Sequence, residues 1–305
     1  MTGPLLTADS LTRRFGSLVA LDGLSLAVDA GELFGLVGPD GAGKTTALRL
    51  LAGQLRPDRG AARVLGMDPA RAGETVRAAL GYVPQQFSLY GDLSVQENID
   101  FFGAMFGLRR RDIEERAEEL LRLTRLSHFR ARRADALSGG MYKKLSIACS
   151  LLHRPRVLLL DEPTNGVDPV SRRELWQLLQ RFASEGMAVL LTTAYMDEAA
   201  RCHRVGLLHQ GRLIRSQTPG EMRKDEKLAC FWLETRTRED AEAALAHPAV
   251  LTAVVQGRRH RILVKKESAE ELSRRVRESG GRLTETAPGF EDLFLFYTRE
   301  DGRGA

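Results

Sequence analysis

Gly38-Pro39-Asp40-Gly41-Ala42-Gly43-Lys44-Thr45 follows the apolar run Leu33–Val37 and leads into a helix-like run from Thr46 to Ala52. The spacing is G-x-x-x-x-G-K-[ST]. A glycine-rich turn between a strand and a helix lets consecutive backbone N–H groups point at one anion, and the helix N-terminus adds partial positive charge there. Lys44 is placed to reach the β- and γ-phosphates of a nucleotide, and the Thr45 hydroxyl to ligate Mg²⁺.

The bulk properties are compatible with that reading. A chain of 305 residues has room for one large domain and a small one. Its 43% hydrophobic and 28% charged residues describe an ordinary globular protein. Apolar runs such as Val157–Leu160 and Ala188–Leu191 are far too short to span a bilayer. Met1–Ser10 has neither the basic region nor the apolar core of a signal peptide, and Cys149, Cys202 and Cys230 show no metal-ligand spacing. Reduced thiols in a cytosolic protein are expected. The net charge of +5 comes mostly from arginines interspersed with carboxylates, as in Arg109–Glu119. That pattern suits solvated faces, and no nucleic-acid partner is expected.

Along the chain, Leu5–Arg13 and Val19–Val28 read as a half-buried antiparallel hairpin. After the phosphate loop, Leu48, Leu51 and Leu55 line one helix face, and Leu80–Val83 is a short strand. Val95–Leu126, rich in Glu, Arg and Leu, predicts two or three helices. Val157–Leu160 and Val189–Thr193 read as strands buried on both faces, with an amphipathic helix marked by Leu175, Leu178, Leu179 and Phe182 between them. Strands and helices alternating around the loop give an α/β sheet with ligands at the carboxyl ends of its strands. Pro219-Gly220 and Glu221–Lys227 mark a boundary. Beyond it the predicted order is β-α-β-β-α-β, a small ferredoxin-like α+β domain. The expected domains are 1–223, with a helical subdomain at about 88–140, and 224–305.

Asp161 ends a buried strand, where a carboxylate can bind Mg²⁺ near Thr45, and Glu162 follows it as a general base for water. Leu137-Ser138-Gly139-Gly140-Met141 completes a set that resembles the ABC-type ATPases, whose usual signature is LSGGQ. The resemblance spans roughly residues 5–220, with the motifs in the family's order. It implies a P-loop NTPase fold and ATP with Mg²⁺ as ligands. Nucleotide contacts would come from Phe15, which stacks on adenine, and from Gly38, Pro39, Asp40, Gly41, Ala42, Gly43, Lys44, Thr45 and Thr46. The alternative for Phe15 is a plain core position. Ser138, Gly139 and Gly140 would clasp the γ-phosphate held by an opposite protomer. Thr45, Gln85 and Asp161 would hold the metal; Glu162, Gln85 and Lys44 would be catalytic. Asn165-Gly166-Val167-Asp168 matches the D-loop of the dimer interface.

The tail, including Pro288–Leu295, is similar to the ABC-2 exporter branch. That similarity implies a homo- or heterodimer on the cytoplasmic face of the membrane, driving a separately encoded permease. Three positions depart from the family pattern. Asp40 replaces Asn, and either turns away or accepts the same backbone hydrogen bond. Met141 replaces Gln. Ala194 stands where the switch histidine belongs, and His203, the nearest other imidazole, is expected about 10 Å or more from the γ-phosphate. Two further readings compete with an active exporter ATPase: a slow ATP-dependent clamp paired with an active subunit, and a soluble ABC protein of ribosomes or DNA.

Overall fold

The computed structural model describes residues 3–86, 88–224, 227–257 and 259–301. Contacts divide the chain into two compact units, Met1–Tyr195 with Arg201–Ser216, and Met196–Ala200 with Gln217–Ala305.

In the first unit, β1 (Leu6–Phe15) and β2 (Leu18–Val28) form the expected antiparallel hairpin. β3 (Leu33–Val37) is buried throughout and delivers the phosphate loop to α1 (Lys44–Leu51). β4 (Arg59–Val64) then returns to pair with the free side of β1. This strand has no sequence signature: its Arg-Gly-Ala-Ala-Arg-Val run is neither apolar nor alternating, and its register with β1 fixes it. After α2 (Gly73–Ala79) and β5 (Leu80–Val83) come α3 (Val95–Met105) and α4 (Arg110–Thr124), both within the predicted helical stretch. Ser94 starts α3 with a reciprocal capping box to Glu97, satisfying two orphan amides of the first turn.

α5 (Gly139–Ser150), β6 (Val157–Asp161), α6 (Pro169–Ser184), β7 (Ala188–Thr193), β8 (Arg204–His209) and β9 (Arg212–Gln217) follow. The six-stranded sheet has the order β5-β6-β7-β3-β8-β9, with β5, β6, β7, β3 and β8 parallel. β3 lies between β7 and β8, so the loop after it emerges beside the ends of those strands, with β6 one strand beyond β7. Leu6, Leu21, Phe34, Leu48, Leu159 and Leu190 belong to one buried cluster beneath α1.

An ion network joins the helical stretch to α6. Glu174 accepts from Lys144 Nζ at 2.8 Å and from Arg125, which caps α4 with φ of 60°. Lys144 is buried, and its hydrogen bond is the main cause holding the Glu174 carboxyl below its usual range. A depressed carboxylate contributes stability above its unfolded pKa and loses it as pH falls through the folded value. Glu174→Ala is therefore expected to destabilise the protein by about 1–3 kcal/mol at neutral pH, because a buried ammonium loses its partner. In thermal unfolding the deficit against the parent should shrink once pH drops below about 4.

The second unit begins with the short helix α7 (Pro219–Met222), and Pro219-Gly220 is its first turn under a Thr218 cap. β10 (Leu228–Glu234), α8 (Arg238–Leu245), β11 (Val250–Gln256), β12 (Arg259–Lys265), α9 (Ala269–Glu278) and β13 (Arg282–Thr286) have the predicted order. The antiparallel sheet order β11-β12-β10-β13 is the split β-α-β arrangement of ferredoxin-like domains. α10 (Phe290–Asp301) closes the chain, and the buried Asp292 accepts from Arg261 at 2.8 Å.

Candidate nucleotide site

The phosphate loop needs its glycines for room as well as for conformation. Gly43 has φ of 105°, and a Cβ there would lie 2.3 Å from the Ala20 carbonyl oxygen. Asp40 does turn outward: its side chain is 94% exposed, with Oδ1 3.9 Å from Lys44 Nζ. Lys44 is folded into the loop, donating to the carbonyls of Gly38 (2.9 Å) and Pro39 (3.0 Å). Its ammonium also lies 3.2 Å from Glu162 Oε1, so a buried cation and a buried carboxylate neutralise each other here.

Glu162 is held from several sides. Its Oε2 accepts from Gln85 Nε2 at 2.8 Å and Asn165 Nδ2 at 3.3 Å, and its N–H donates to Thr192 Oγ1 at 3.0 Å. Its φ of 48° places a non-glycine residue in the left-handed region, a strain that persists where surroundings over-determine it and that clusters at functional sites. Thr192 donates from the same hydroxyl to Asp161 Oδ1 at 2.7 Å. Asp161 Oδ2 is buried with no hydrogen-bond partner among the described residues. A carboxylate oxygen desolvated without a donor is the feature a hard cation repays, so the residues fit Mg²⁺.

A cavity of about 540 Å³ brings many of the predicted residues together: Phe15, Asp40, Gly41, Gly43, Lys44, Thr45, Thr46, Gln85 and Glu162 line it, whereas Gly38, Pro39, Ala42 and Asp161 do not. Phe15 is 45% exposed, which favours the stacking role over a core position; the Arg13 guanidinium sits 4.9 Å from its ring centroid. Ser138, Gly139 and Gly140 do not line this cavity. Ser138 caps α5 through Met141 N–H, and a Cβ on Gly140 would clash with Ser171 at 2.4 Å, so this glycine lets α5 approach the start of α6. Asp168 caps α6, accepting from the N–H groups of Val170 and Ser171.

Sequence reasoning missed Lys143. Its ammonium donates to the Gln85 carbonyl at 2.7 Å, tying the signature helix to the glutamine loop. Burial lowers its pKa, and Asp161 and Glu162 offset part of that shift. Only a fold that brings residues 58 positions apart into contact reveals it. Ala194 directly follows β7, whose Thr193 carbonyl accepts from Gly38 N–H at 3.2 Å. The switch position thus abuts the phosphate loop with a methyl group. His203 is no substitute: its Nδ1 accepts from Leu33 N–H at 2.9 Å, at the end of β3 away from the loop.

Comparison with known proteins agrees with this arrangement. The family model described as ABC transporter matches residues 21–165. The chain is 40% identical over 304 residues to the probable multidrug ABC transporter ATP-binding protein YbhF of Escherichia coli (strain K12), covering 97% of this chain and 52% of that protein. It therefore spans about half the length of the first curated relatives it matches. It is 37% identical over 299 residues to the Nod factor export ATP-binding protein I of Sinorhizobium fredii (strain NBRC 101917 / NGR234), covering 95% and 84% of the two chains. Among solved structures, the ATP-binding cassette MJ0796, a dimer in a post-hydrolysis state with ADP and Pi, superposes with a TM-score of 0.62 at 26% identity. That match covers 70% of this chain and 98% of the other. The chain belongs to the ABC transporter ATP-binding family, and its first unit is an ABC ATPase domain.

Proposed function

We propose that this chain is the ATP-hydrolysing subunit of an exporter, docked at the cytoplasmic face of the membrane on a separate ABC-2 type permease. The observation that carries the reading is the convergence of Lys44, Gln85 and Glu162 on one phosphate-loop cavity. Residues 1–223 form the nucleotide-binding domain, with the helical subdomain at about 88–140, and residues 224–305 form an accessory domain. Two chains, or this chain and a second ATPase, sandwich ATP head to tail, the signature of each facing the loop of the other. The relatives named for multidrug and Nod factor export support the exporter assignment, and the MJ0796 dimer supports the sandwich.

In that role ATP displaces Glu162 from Lys44, and the ammonium moves to the β/γ-phosphates. Thr45, Gln85 and Asp161 would hold Mg²⁺, which when bound would neutralise charge on those phosphates. Glu162 accepts the proton of the attacking water. No helix of the described residues is long and apolar enough to cross a membrane. Tyr90, Phe101 and Met105, large apolar groups exposed on the helical subdomain with the Tyr90 and Phe101 rings 4.6 Å apart, suit a hydrophobic docking contact. Arg109, Arg110 and Arg111 pair with Asp112, Glu114 and Glu115, as suits a solvated helix face. Co-purification with a permease encoded alongside this chain, with ATPase activity stimulated in the complex, tests the assignment; failure to associate contradicts it.

A second reading follows from Ala194. A methyl group can neither contact the γ-phosphate nor orient water, and His203 is engaged elsewhere. The site built on this phosphate loop is then slow, and export relies on pairing with an ATPase domain that keeps its histidine. Losing one preorganised transition-state contact costs about 10²–10³ in rate. Ala194→His should raise turnover of the isolated chain by that order. Brisk activity in the parent, with no gain from histidine, would mean that neighbouring groups already fill the role.

A further inference from the structure

The two oxygens of Glu162 are held differently. Oε1 faces the Lys44 ammonium, whereas Oε2 accepts from Gln85 and Asn165. Asn165 is itself oriented: its Oδ1 accepts from the Tyr195 hydroxyl at 3.4 Å. The assignment of that amide is self-consistent, since an ionised carboxylate only accepts and so requires Nδ2 on the Glu162 side. Tyr195 is fixed in turn. Its N–H donates to Thr193 Oγ1 at 3.0 Å, and the Arg172 guanidinium lies 4.8 Å from its ring centroid. At 38% exposure the ring is no core filler. It directly follows Ala194, and its hydroxyl meets Asn165, the amide that donates to Glu162.

We infer that Tyr195 is a positioning residue for ATP hydrolysis, acting through Asn165 to pin Oε2 of Glu162 and leave Oε1 as the proton acceptor. The inference rests on Glu162 being the general base. When the phosphates take the Lys44 ammonium, Oε1 loses its cation while Oε2 keeps two donors. The water proton passes to Oε1 as the water oxygen bonds to the γ-phosphorus. The bond from that phosphorus to the β–γ bridging oxygen breaks, its electron pair leaving with ADP, and Glu162 then returns the proton to phosphate or solvent. Chain-local anchoring of the base is also what a site without a histidine needs, because the carboxylate must then orient the water with less help.

Single-turnover hydrolysis by the full-length chain, with enzyme in excess over Mg-ATP, provides the test. Tyr195→Phe keeps the ring and its Arg172 contact and removes only the hydroxyl. It should lower the hydrolysis rate by about tenfold or more with unchanged ATP affinity and thermal stability. Asn165→Leu should lower the rate likewise with ATP affinity retained, and the double variant should be no slower than Asn165→Leu alone, since the hydroxyl acts only through the amide. An unchanged rate in Tyr195→Phe, a loss of ATP affinity that accounts for the slower rate, or additive losses in the double variant would each overturn the inference. Glu162→Gln separates the two levels. If it hydrolyses ATP at the parental rate, the general-base reading fails; if it is inactive while Tyr195→Phe is normal, only the positioning role fails.

Discussion

Glu162→Gln is expected to cut ATP turnover by about 10²–10⁴-fold, the usual worth of a positioned general base, while ATP stays bound. The amide keeps the shape of the side chain and can still meet Asn165 and Gln85, but it cannot accept the water proton. The geometry adds a second consequence. In the parent the carboxylate holds Lys44 at 3.2 Å, so nucleotide must break a buried ion pair before the ammonium can turn to phosphate. The variant removes that competitor and a negative charge that faces the γ-phosphate. ATP affinity should rise by about tenfold, or about 1.4 kcal/mol. In size-exclusion chromatography with Mg-ATP, an ATP-locked dimer should accumulate where the parent cycles. Parental turnover in the variant would place the base elsewhere.

Lys44→Ala is the complementary loss. Charge-assisted hydrogen bonds to phosphate are worth about 1.5–3 kcal/mol each, and Lys44 is the buried cation of the loop cavity. Part of this gain is offset by the bonds the free ammonium surrenders to Gly38, Pro39 and Glu162. The variant also leaves Glu162 buried without its cation and facing the incoming phosphates. Together these effects should weaken ATP binding by about 100-fold or more in calorimetric titration and abolish ATP-dependent dimerisation. Unchanged affinity would sink the assignment of the phosphate site.

These two residues were legible in the sequence because their motifs are local. The spacing of Gly38, Gly43 and Lys44 encodes a turn, a helix start and a reaching ammonium within eight residues. Asp161 and Glu162 follow an apolar run whose length suits a doubly buried strand. The signature was equally readable, Ser138 being the N-cap of α5. Contacts that depend on tertiary approach were not. Nothing near Lys143 announces its bond to the Gln85 carbonyl, and nothing around Glu162 announces its left-handed backbone or its pairing with Lys44. β4 and β9 were missed for a related reason. Arg59–Val64 and Arg212–Gln217 carry too many polar residues for a periodic signal, and their pairing partners, β1 and β8, define them. His203 shows the reverse case. Chain distance alone kept it away from the phosphate, and the structure supplies the reason by engaging it at the start of β3.

The most direct test of the account is steady-state ATP hydrolysis by the purified chain beside its Glu162→Gln and Lys44→Ala variants, with ATP affinity measured on all three. The account predicts measurable Mg-dependent turnover in the parent, loss of turnover with retained or tighter binding in Glu162→Gln, and loss of both in Lys44→Ala. Equal turnover in all three proteins would contradict it.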